Sequence, residues 1–450
     1  MPVRLRVAST PTPWVRAHAG CFCALLVSQL GCAVIGVAVS ASAQTGGETL
    51  PEQVTLGWAI ARALEHNPEL QAANARLRSM QERPSQAGAL PDPSVALRYH
   101  NEDWDTTFGR SEFTFFEVGV EQELPFPGKR SVRRRIAERE ALRERAMRDM
   151  TALMVLARVG MQYADLVALE RSDLALTESL AALETLIAQA AARYGVGEAE
   201  QQDVLRTGLE RDMIRERLAM VTRARAKSGA QLAALLGVER VEDLPAIGQF
   251  EGARAPRSLE ELRARAEDQS PALRAASEEW LRAEEALRLA RREYFPDFAL
   301  MAAYMDKKQL LPEWEIGLRF SVPLYLGRKQ RRAVAEAAFA ERAAERERRR
   351  AQLDVGARLA ELHAAAESSN RLLALYRESL IPSASLTFES ARASYATGRV
   401  DLLTTLSAFV ALLDYRIREA EETASLLAAL SEIGPLVGET PLGEPLGDAP

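Results

Sequence analysis

The segment Gln122-Glu123-Leu124-Pro125-Phe126-Pro127-Gly128-Lys129-Arg130 separates a short alternating stretch from a long helical one. A related segment, Val322-Pro323-Leu324-Tyr325-Leu326-Gly327-Arg328, lies 198 residues later, again between alternating and helical sequence. Proline has no backbone N–H and a fixed φ, so Pro125, Pro127 and Pro323 are predicted to end strands. The glycines that follow, Gly128 and Gly327, mark the points where each strand is expected to give way to a helix.

The repetition extends over most of the chain. Asn67-Pro68-Glu69-Leu70 and Ser270-Pro271-Ala272-Leu273 each open a helical stretch, 203 residues apart. The segments Arg193-Tyr194-Gly195-Val196-Gly197 and Ser394-Tyr395-Ala396-Thr397-Gly398 each lie between two long helical patterns, 201 residues apart. An interval near 200 residues is too long for a solenoid repeat. The sequence therefore predicts a duplicated unit of helix, β-hairpin and long helical hairpin, a mainly α fold with a small β contribution.

Residues 1–43 have the composition of an export signal. Three arginines precede an apolar run from Cys21 to Val39, and Ala41-Ser42-Ala43 fits the small-residue cleavage rule. The mature chain is expected to begin near Gln44, with a lipid anchor at Cys32 as an alternative. All three cysteines lie in this signal, so the exported protein needs no disulfide. Removal of the signal would shift the net charge of the chain from −6 to about −9. A negative charge of this size does not indicate a nucleic-acid partner.

Each repeat contains one pair of short strand-like segments. Strands are expected in the first repeat (44–250) at about 93–104 and 112–124, and in the second (251–432) at about 297–306 and 313–322. The clearest alternation runs from Trp314 to Val322. We expect no stretch of about 20 apolar residues that would form a membrane helix in the mature chain. Open sheet edges cannot lie in lipid, so four strands of transmembrane length would need partner chains, and three copies would give twelve strands.

The remaining sequence is dominated by long helical patterns. Leu403, Leu406, Val410 and Leu413 begin a heptad seam, and similar seams recur in the first repeat. Helices are expected at about 129–193, 200–236, 327–392 and 400–430, with Pro382 kinking the third. The first would be about 97 Å long, which a compact domain does not need. The Pro/Gly-rich residues 433–450 are expected to be disordered.

The mature sequence offers no pattern typical of catalysis. Its histidines, His66, His100 and His363, lie on separate predicted elements, and no Cys/His pair has the spacing of metal ligands. There is no thiol and no phosphate-binding loop. The sequence therefore predicts no enzyme, no metal site and no cofactor. The heptads alone would also be explained by a periplasmic coiled-coil scaffold or chaperone without a pore, which is the alternative function.

The two junctions, the Asn-Pro-Glu-Leu opening and the two turns resemble those of the TolC-type outer membrane efflux family over about residues 56–430. The resemblance implies a homotrimer in the outer membrane of a Gram-negative bacterium. Three copies would form a twelve-stranded β-barrel continued by a periplasmic α-helical barrel. It also implies a passive exit duct of a tripartite efflux system, which receives substrates from an inner-membrane pump through a periplasmic adaptor protein.

The resemblance also implies roles for the two turns. They would form the periplasmic tips, where adaptor hairpins dock and the pore is narrowest. These tip residues are Tyr194, Gly195, Val196, Gly197, Tyr395, Ala396, Thr397 and Gly398.

One part of the pattern departs from the family. Several relatives have an acidic ring on the helix after the second turn, but the aligned positions here are Thr404 and Ser407. The nearest acids are Asp401 and, in the first repeat, Asp203, so these four residues are the candidates for a constriction. Asp401 is expected to face the lumen or the adaptor, and Leu403 and Leu406 to face neighbouring helices.

Only the family resemblance indicates which cargo to expect. Junctions of the Pro-Phe-Pro-Gly-Lys kind resemble those of heavy-metal efflux channels, so heavy-metal or drug efflux is favoured over protein secretion. Met301 and Met305 lie on one strand face, where methionines commonly face lipid or pack internally.

Overall fold

The computed structural model describes residues 53–101, 104, 113–248, 255–308 and 310–446. The export signal expected at 1–43 and the repeat boundary expected at 250–251 lie outside these residues.

Among the described residues, the first repeat contains the following helices and strands. They are β1 (Gln53–Val54), α1 (Leu56–His66), α2 (Pro68–Gln81), α3 (Arg83–Gly88), β2 (Ser94–His100), β3 (Phe115–Leu124), α4 (Lys129–Gly195), α5 (Gln201–Leu235) and β4 (Ala246–Ile247). The short strands β1 and β4 pair in parallel. The second repeat contains α6 (Leu259–Gln269), α7 (Pro271–Arg292), β5 (Asp297–Asp306), β6 (Glu313–Ser321), α8 (Arg331–Leu375), α9 (Ile381–Ala396) and α10 (Leu402–Val437).

The four longer strands form one antiparallel sheet in the order β2-β3-β5-β6. β2 and β3 pair with each other, as do β5 and β6. The two hairpins are joined by pairing of β3 with β5, from Phe116 opposite Asp306 to Leu124 opposite Phe298. The sequence predicts the two hairpins, whereas this pairing between repeats is a finding of the structure. β2 ends at His100, short of the expected 104, and the connection at 105–112 lies outside the described residues.

The helices are longer than any globular core requires. α4 has 67 residues and is therefore about 100 Å long. α5 packs against α4, α4 against α10, and α10 against α8 and α9. Apolar residues of α4, α5, α9 and α10 form a core near the two turns, which includes Leu183, Ile214, Phe388 and Phe409.

One helix corrects an expectation about membrane spans. α4 contains an 18-residue stretch that is apolar and long enough by composition to cross a membrane. Within the protein, 67 % of that stretch is buried. The expectation that the mature chain has no such stretch is therefore wrong, although burial of this kind is typical of a core helix.

The helix expected at 327–392 is divided by π-helical turns. One turn, Leu326–Gln330, precedes α8, and another, Tyr376–Leu380, separates α8 from α9. Pro382 lies at the start of α9, directly after the second turn. Proline cannot donate a hydrogen bond to the preceding turn of a helix, so a widened turn is a physical consequence of its position.

The C-terminal segment differs from the expected disorder. α10 continues to Val437, and Gly438 ends it in the left-handed conformation with φ 78°. The buried carboxylate of Glu439 accepts hydrogen bonds of 2.6 and 2.8 Å from Nη1 of Arg257, and Leu446 packs on the core around α1 and α4. The described residues 433–446 are therefore ordered, because an ion pair and apolar contacts hold them against the helices.

Candidate functional site

The first strand–helix junction is held by a buried lysine. Gly128 precedes α4 with φ 89°, and the guanidinium of Arg292 occupies the space that a Cβ atom would need. Lys129 is 1 % exposed, and its Nζ lies 3.2 Å from Glu293 Oε2, 2.9 Å from the Phe295 carbonyl oxygen and 3.0 Å from Asp297 Oδ2. Because these partners all precede or begin β5, the lysine ties the first junction to the second repeat.

Two further contacts reinforce this junction. Asp297 Oδ1 accepts a hydrogen bond of 2.7 Å from the backbone N–H of Phe126. The ring of Phe126 stacks on Phe295 with centroids 4.6 Å apart. Pro125 and Pro127 flank Phe126 and fix its backbone direction. Both polar and apolar contacts therefore hold the junction.

The second junction is built differently. Pro323 follows the end of β6, but Gly327 lies within the π-helical turn, exposed and without close neighbours. Its φ lies outside the left-handed region. The two glycines are related by sequence position only, because Gly327 lacks both the left-handed backbone of Gly128 and the tight contact with an arginine.

The two turns lie at the ends of the long helices. Gly197 has φ 80° and Gly398 has φ 71°, the left-handed conformation that favours glycine after a helix. Their amides donate to the carbonyl oxygens of Tyr194 and Tyr395, at 3.0 and 3.1 Å. Gly195 is the last residue of α4 and is helical. The residues exposed around these turns are Tyr194, Gly195, Val196, Gly197, Ala396, Thr397 and Gly398.

Arg193 joins the two turns. Its Nη1 donates a hydrogen bond of 2.5 Å to the carbonyl oxygen of Tyr395, and its guanidinium carbon lies 4.9 Å from the centroid of the Tyr395 ring. Tyr395 is buried, whereas its counterpart Tyr194 is exposed. Burial raises the pKa of the Tyr395 hydroxyl, and the carboxylate of Asp203 raises it further. The structure therefore brings Arg193, Asp203 and Tyr395 into one cluster.

The remaining candidate residues lie along the first turns of α10. Asp401 Oδ1 accepts a hydrogen bond of 2.9 Å from the backbone N–H of Thr404 and so caps the helix. Hydrogen bonds from Thr404 lower the pKa of Asp401. Ser407 donates to the carbonyl oxygen of Leu403 at 2.7 Å. Asp401, Thr404 and Ser407 are all exposed.

Leu403 and Leu406 were expected to face neighbouring helices. Leu406 is buried in the core near the turns, as expected. Leu403 is 53 % exposed in this chain, so its packing against a neighbouring helix stays a prediction.

Two features of the candidate site were not predicted from the sequence. The first is the contact between Arg193 and the second turn. The sequence contains a signal for it, because an arginine, Arg193, precedes the first Tyr-x-x-Gly turn, whereas a serine, Ser394, precedes the second. The partners of the buried Lys129 lie more than 160 residues away, and no local signal points to them. Among the described residues, no group of three or more His, Cys, Asp and Glu side chains could hold a metal ion.

The fold is that of solved outer membrane channels. A membrane protein from Pseudomonas aeruginosa matches with a TM-score of 0.74 at 17 % identity, covering 85 % of this chain and 90 % of its own. The outer membrane protein VceC from Vibrio cholerae matches with 0.71 at 19 % identity, covering 86 % and 96 %. The open state of the MtrE outer membrane channel of Neisseria gonorrhoeae matches with 0.68 at 20 % identity, covering 86 % and 90 %.

The sequence itself identifies the family. The model of a family described as outer membrane efflux protein matches residues 59–238 and 262–439, one match for each repeat. The chain therefore belongs to the outer membrane efflux protein family, and the resemblance to the TolC type is confirmed. No protein of curated function matches the sequence significantly.

Proposed function

We propose that the protein is the passive outer membrane exit duct of a tripartite efflux system, and that it works as a homotrimer. Its sheet would lie in the outer membrane and its long helices would extend into the periplasm. An inner-membrane pump and a periplasmic adaptor would deliver substrate to the two turns.

The observation that carries this proposal is an exposed apolar face of the sheet. Cross-strand register places twelve apolar side chains on one face, each between 37 and 74 % exposed. They are Val95, Leu97, Tyr99, Phe116, Val118, Val120, Leu300, Tyr304, Trp314, Ile316, Leu318 and Phe320. A soluble protein rarely exposes so large an apolar patch, whereas a barrel wall in lipid requires one.

The order of side chains along this face matches the depth profile of a membrane. Aromatic residues lie at both ends of the strands, with Tyr304 opposite Trp314 at one end and Phe298 opposite Phe320 at the other. Aliphatic residues such as Ile316 and Leu318 lie between them. The distance from Trp314 to Phe320 is about 20 Å at the rise of a strand. Two aromatic rows around an aliphatic band are typical of transmembrane barrels.

The opposite face is polar. Arg98 Nη1 lies 3.0 Å from Glu117 Oε2, and Arg319 Nη1 lies 2.6 Å from Glu121 Oε1. Small residues such as Gly119 share this face with the ion pairs. A charged face opposite a lipid face is what a water-filled lumen needs.

The edges of the sheet support a trimer. β2 and β6 each pair on one side only among the described strands. Unpaired backbone groups cannot lie in lipid, so further chains must close the ring, and three copies give the proposed twelve strands. Trimer formation is tested by crosslinking and by native mass measurement in detergent. Three chains are expected, and a stable monomer would overturn the proposal.

We favour metal ions or drug-sized molecules over protein as cargo. Met301 and Met305 lie on the polar face of the sheet, opposite Glu121 and Glu117, and not on its apolar face. Thioethers are ligands for soft metal ions. Deleting the gene and measuring resistance to copper, silver and a panel of drugs tests this choice. A secretion defect with unchanged resistance would contradict it.

The scaffold alternative makes a different prediction. A periplasmic scaffold would be released by osmotic shock and would need no detergent. Extraction from the outer membrane only with detergent favours the duct, because the apolar face must then have been in lipid.

A further inference from the structure

We propose that residues 322–332, here called the collar segment, bind anionic phospholipid headgroups such as phosphatidylglycerol at the periplasmic edge of the sheet. The proposal rests on the proposed function, since it requires the sheet to lie in a membrane.

The first half of the collar segment is apolar and exposed. Val322, Leu324, Tyr325 and Leu326 are between 46 and 79 % exposed. They begin two residues after Phe320, which with Phe298 forms the aromatic row at the end of the sheet nearer the long helices. Apolar and aromatic side chains at this depth are expected to lie at the boundary of acyl chains and headgroups.

The second half is strongly basic. Arg328, Lys329, Arg331 and Arg332 are all exposed. None of their side chains makes an ion pair or hydrogen bond with the part of the chain that the structure describes. The sequence has no acid from Val322 to Ala335, and the first is Glu336. Positive charges directly beyond an apolar anchor are a recognised arrangement for binding anionic lipid.

The position of these cations in the helix is unfavourable without an external anion. They lie at the start of the helical run formed by the π-helical turn 326–330 and α8, and its first turns contain no acid. The N-terminal end of a helix has positive partial charge, which favours anions and disfavours arginine and lysine. A phosphate group would neutralise both the side chains and the end of the helix.

The cations at the first strand–helix junction, unlike those of the collar segment, have partners within the protein. Lys129 is paired with Glu293 and Asp297, and Arg130 donates two hydrogen bonds to the carbonyl oxygen of Gly88, at 3.0 and 2.7 Å. The two cations that follow Gly327 in the second repeat, Arg328 and Lys329, have no such acceptor among the described residues. Protein groups thus satisfy the cations of the first junction, whereas those of the second remain available to a phosphate, which arginine binds in a bidentate manner.

The test uses the assembled full-length protein in detergent. Native mass spectrometry would count bound lipids during titration with phosphatidylglycerol or phosphatidylcholine, with inorganic phosphate as a competitor. The test variant is R328Q/K329Q/R331Q/R332Q. The matched control is R346Q/R349Q/R350Q/R371Q, which removes the same charge from exposed arginines of α8 far from the sheet.

We expect the wild type and the control to prefer phosphatidylglycerol. The test variant should lose this preference by about tenfold or more while still forming three-chain assemblies. Should that variant fail to assemble, the doubles R328Q/K329Q and R331Q/R332Q provide the same measurement with a smaller loss.

Three results would overturn the proposal: an unchanged preference in the test variant, an equal loss in the control, or displacement of phosphatidylglycerol by inorganic phosphate at equal concentration. Failure of the wild type to assemble or to form channels in bilayers would instead contradict the proposed function. The two failures are therefore distinguishable.

Discussion

Arg193 at the end of α4 and Tyr395 at the end of α9 form the contact that joins the two turns. The hydrogen bond from Arg193 Nη1 to the Tyr395 carbonyl oxygen is 2.5 Å long, and Gly398 N–H donates to the same oxygen at 3.1 Å. The Tyr395 carbonyl oxygen therefore accepts one hydrogen bond from each repeat. Loss of either donor should affect the geometry of the second turn, although the first donor belongs to the other helical hairpin.

The first prediction concerns this contact. Arg193→Ala removes the hydrogen bond and the cation–π contact, which together contribute about 1–2 kcal/mol at a partly buried site. Amides of 394–400 should then exchange about tenfold faster with deuterium, because 1.4 kcal/mol corresponds to a factor of ten. Peptide-level hydrogen exchange measures this. Arg206→Ala, at an exposed position of α5, should leave exchange at 394–400 unchanged.

The second prediction concerns the glycines of the turns. Gly197→Val and Gly398→Val place a β-branched side chain at positive φ, which costs about 1–2 kcal/mol. Gly398→Val should be the more severe, since its Cβ would also lie 3.2 Å from Arg193 Nη2 while Gly197 faces open space. We expect lower export with unchanged assembly in the outer membrane. Gly208→Val, in the body of α5, is the control, and normal export by both turn variants would show that the turns are not functional.

The sequence predicts the parts of this fold that are locally encoded. The alternation from Trp314 to Ser321 predicts a strand, and the long stretch from Lys129 without proline predicts one helix. Contacts between repeats could not be predicted, because the partners of Lys129 and Arg193 lie 164 and 202 residues away. The order of the C-terminal segment was missed for a similar reason. Its composition is typical of disorder, and the ion pairs that stabilise Glu439 come from the distant Arg257 and Arg265.

The same limit applies to the candidate site. The family resemblance predicts both turns and implies the same role for Tyr194 and Tyr395. Tyr395 is buried because Arg193 and the core residues of α10 cover it, while Tyr194 is exposed. A repeat in sequence therefore does not ensure a repeat in environment, as Gly128 and Gly327 also show.

The third prediction concerns the first junction. Lys129→Met removes a buried ammonium that has three acceptors and leaves Glu293 and Asp297, which are partly exposed and so remain solvated. We expect a loss of about 2 kcal/mol, less than for a fully buried pair. The measurement is the temperature at which the assembled protein loses its β structure by circular dichroism. Lys227→Met, an exposed lysine on α5, should cause little change, and an equal shift in both would contradict the role of the junction.

The fourth prediction concerns the candidate constriction. Under threefold symmetry any pore-facing residue becomes a ring, so Asp401 would present three carboxylates. The Asp401→Asn variant keeps a residue that can cap α10 and removes only the charge. We expect it to reduce cation selectivity in planar bilayers more than Asp203→Asn does, because Asp401 is exposed at the turn and Asp203 is half-buried beside Tyr395.

The pH dependence of this difference separates two arrangements of the ring. Capping lowers the pKa of Asp401 below its ordinary value, so the carboxylate stays charged from pH 8 to pH 5, and the stabilisation from the charged cap is lost only in more acidic solution. The difference between wild type and Asp401→Asn should therefore be constant from pH 8 to pH 5. A difference that fades between pH 7 and 5 would mean that mutual repulsion of the three carboxylates raises their pKa and outweighs the cap. Negligible effects of both variants would mean that helix packing alone closes the duct.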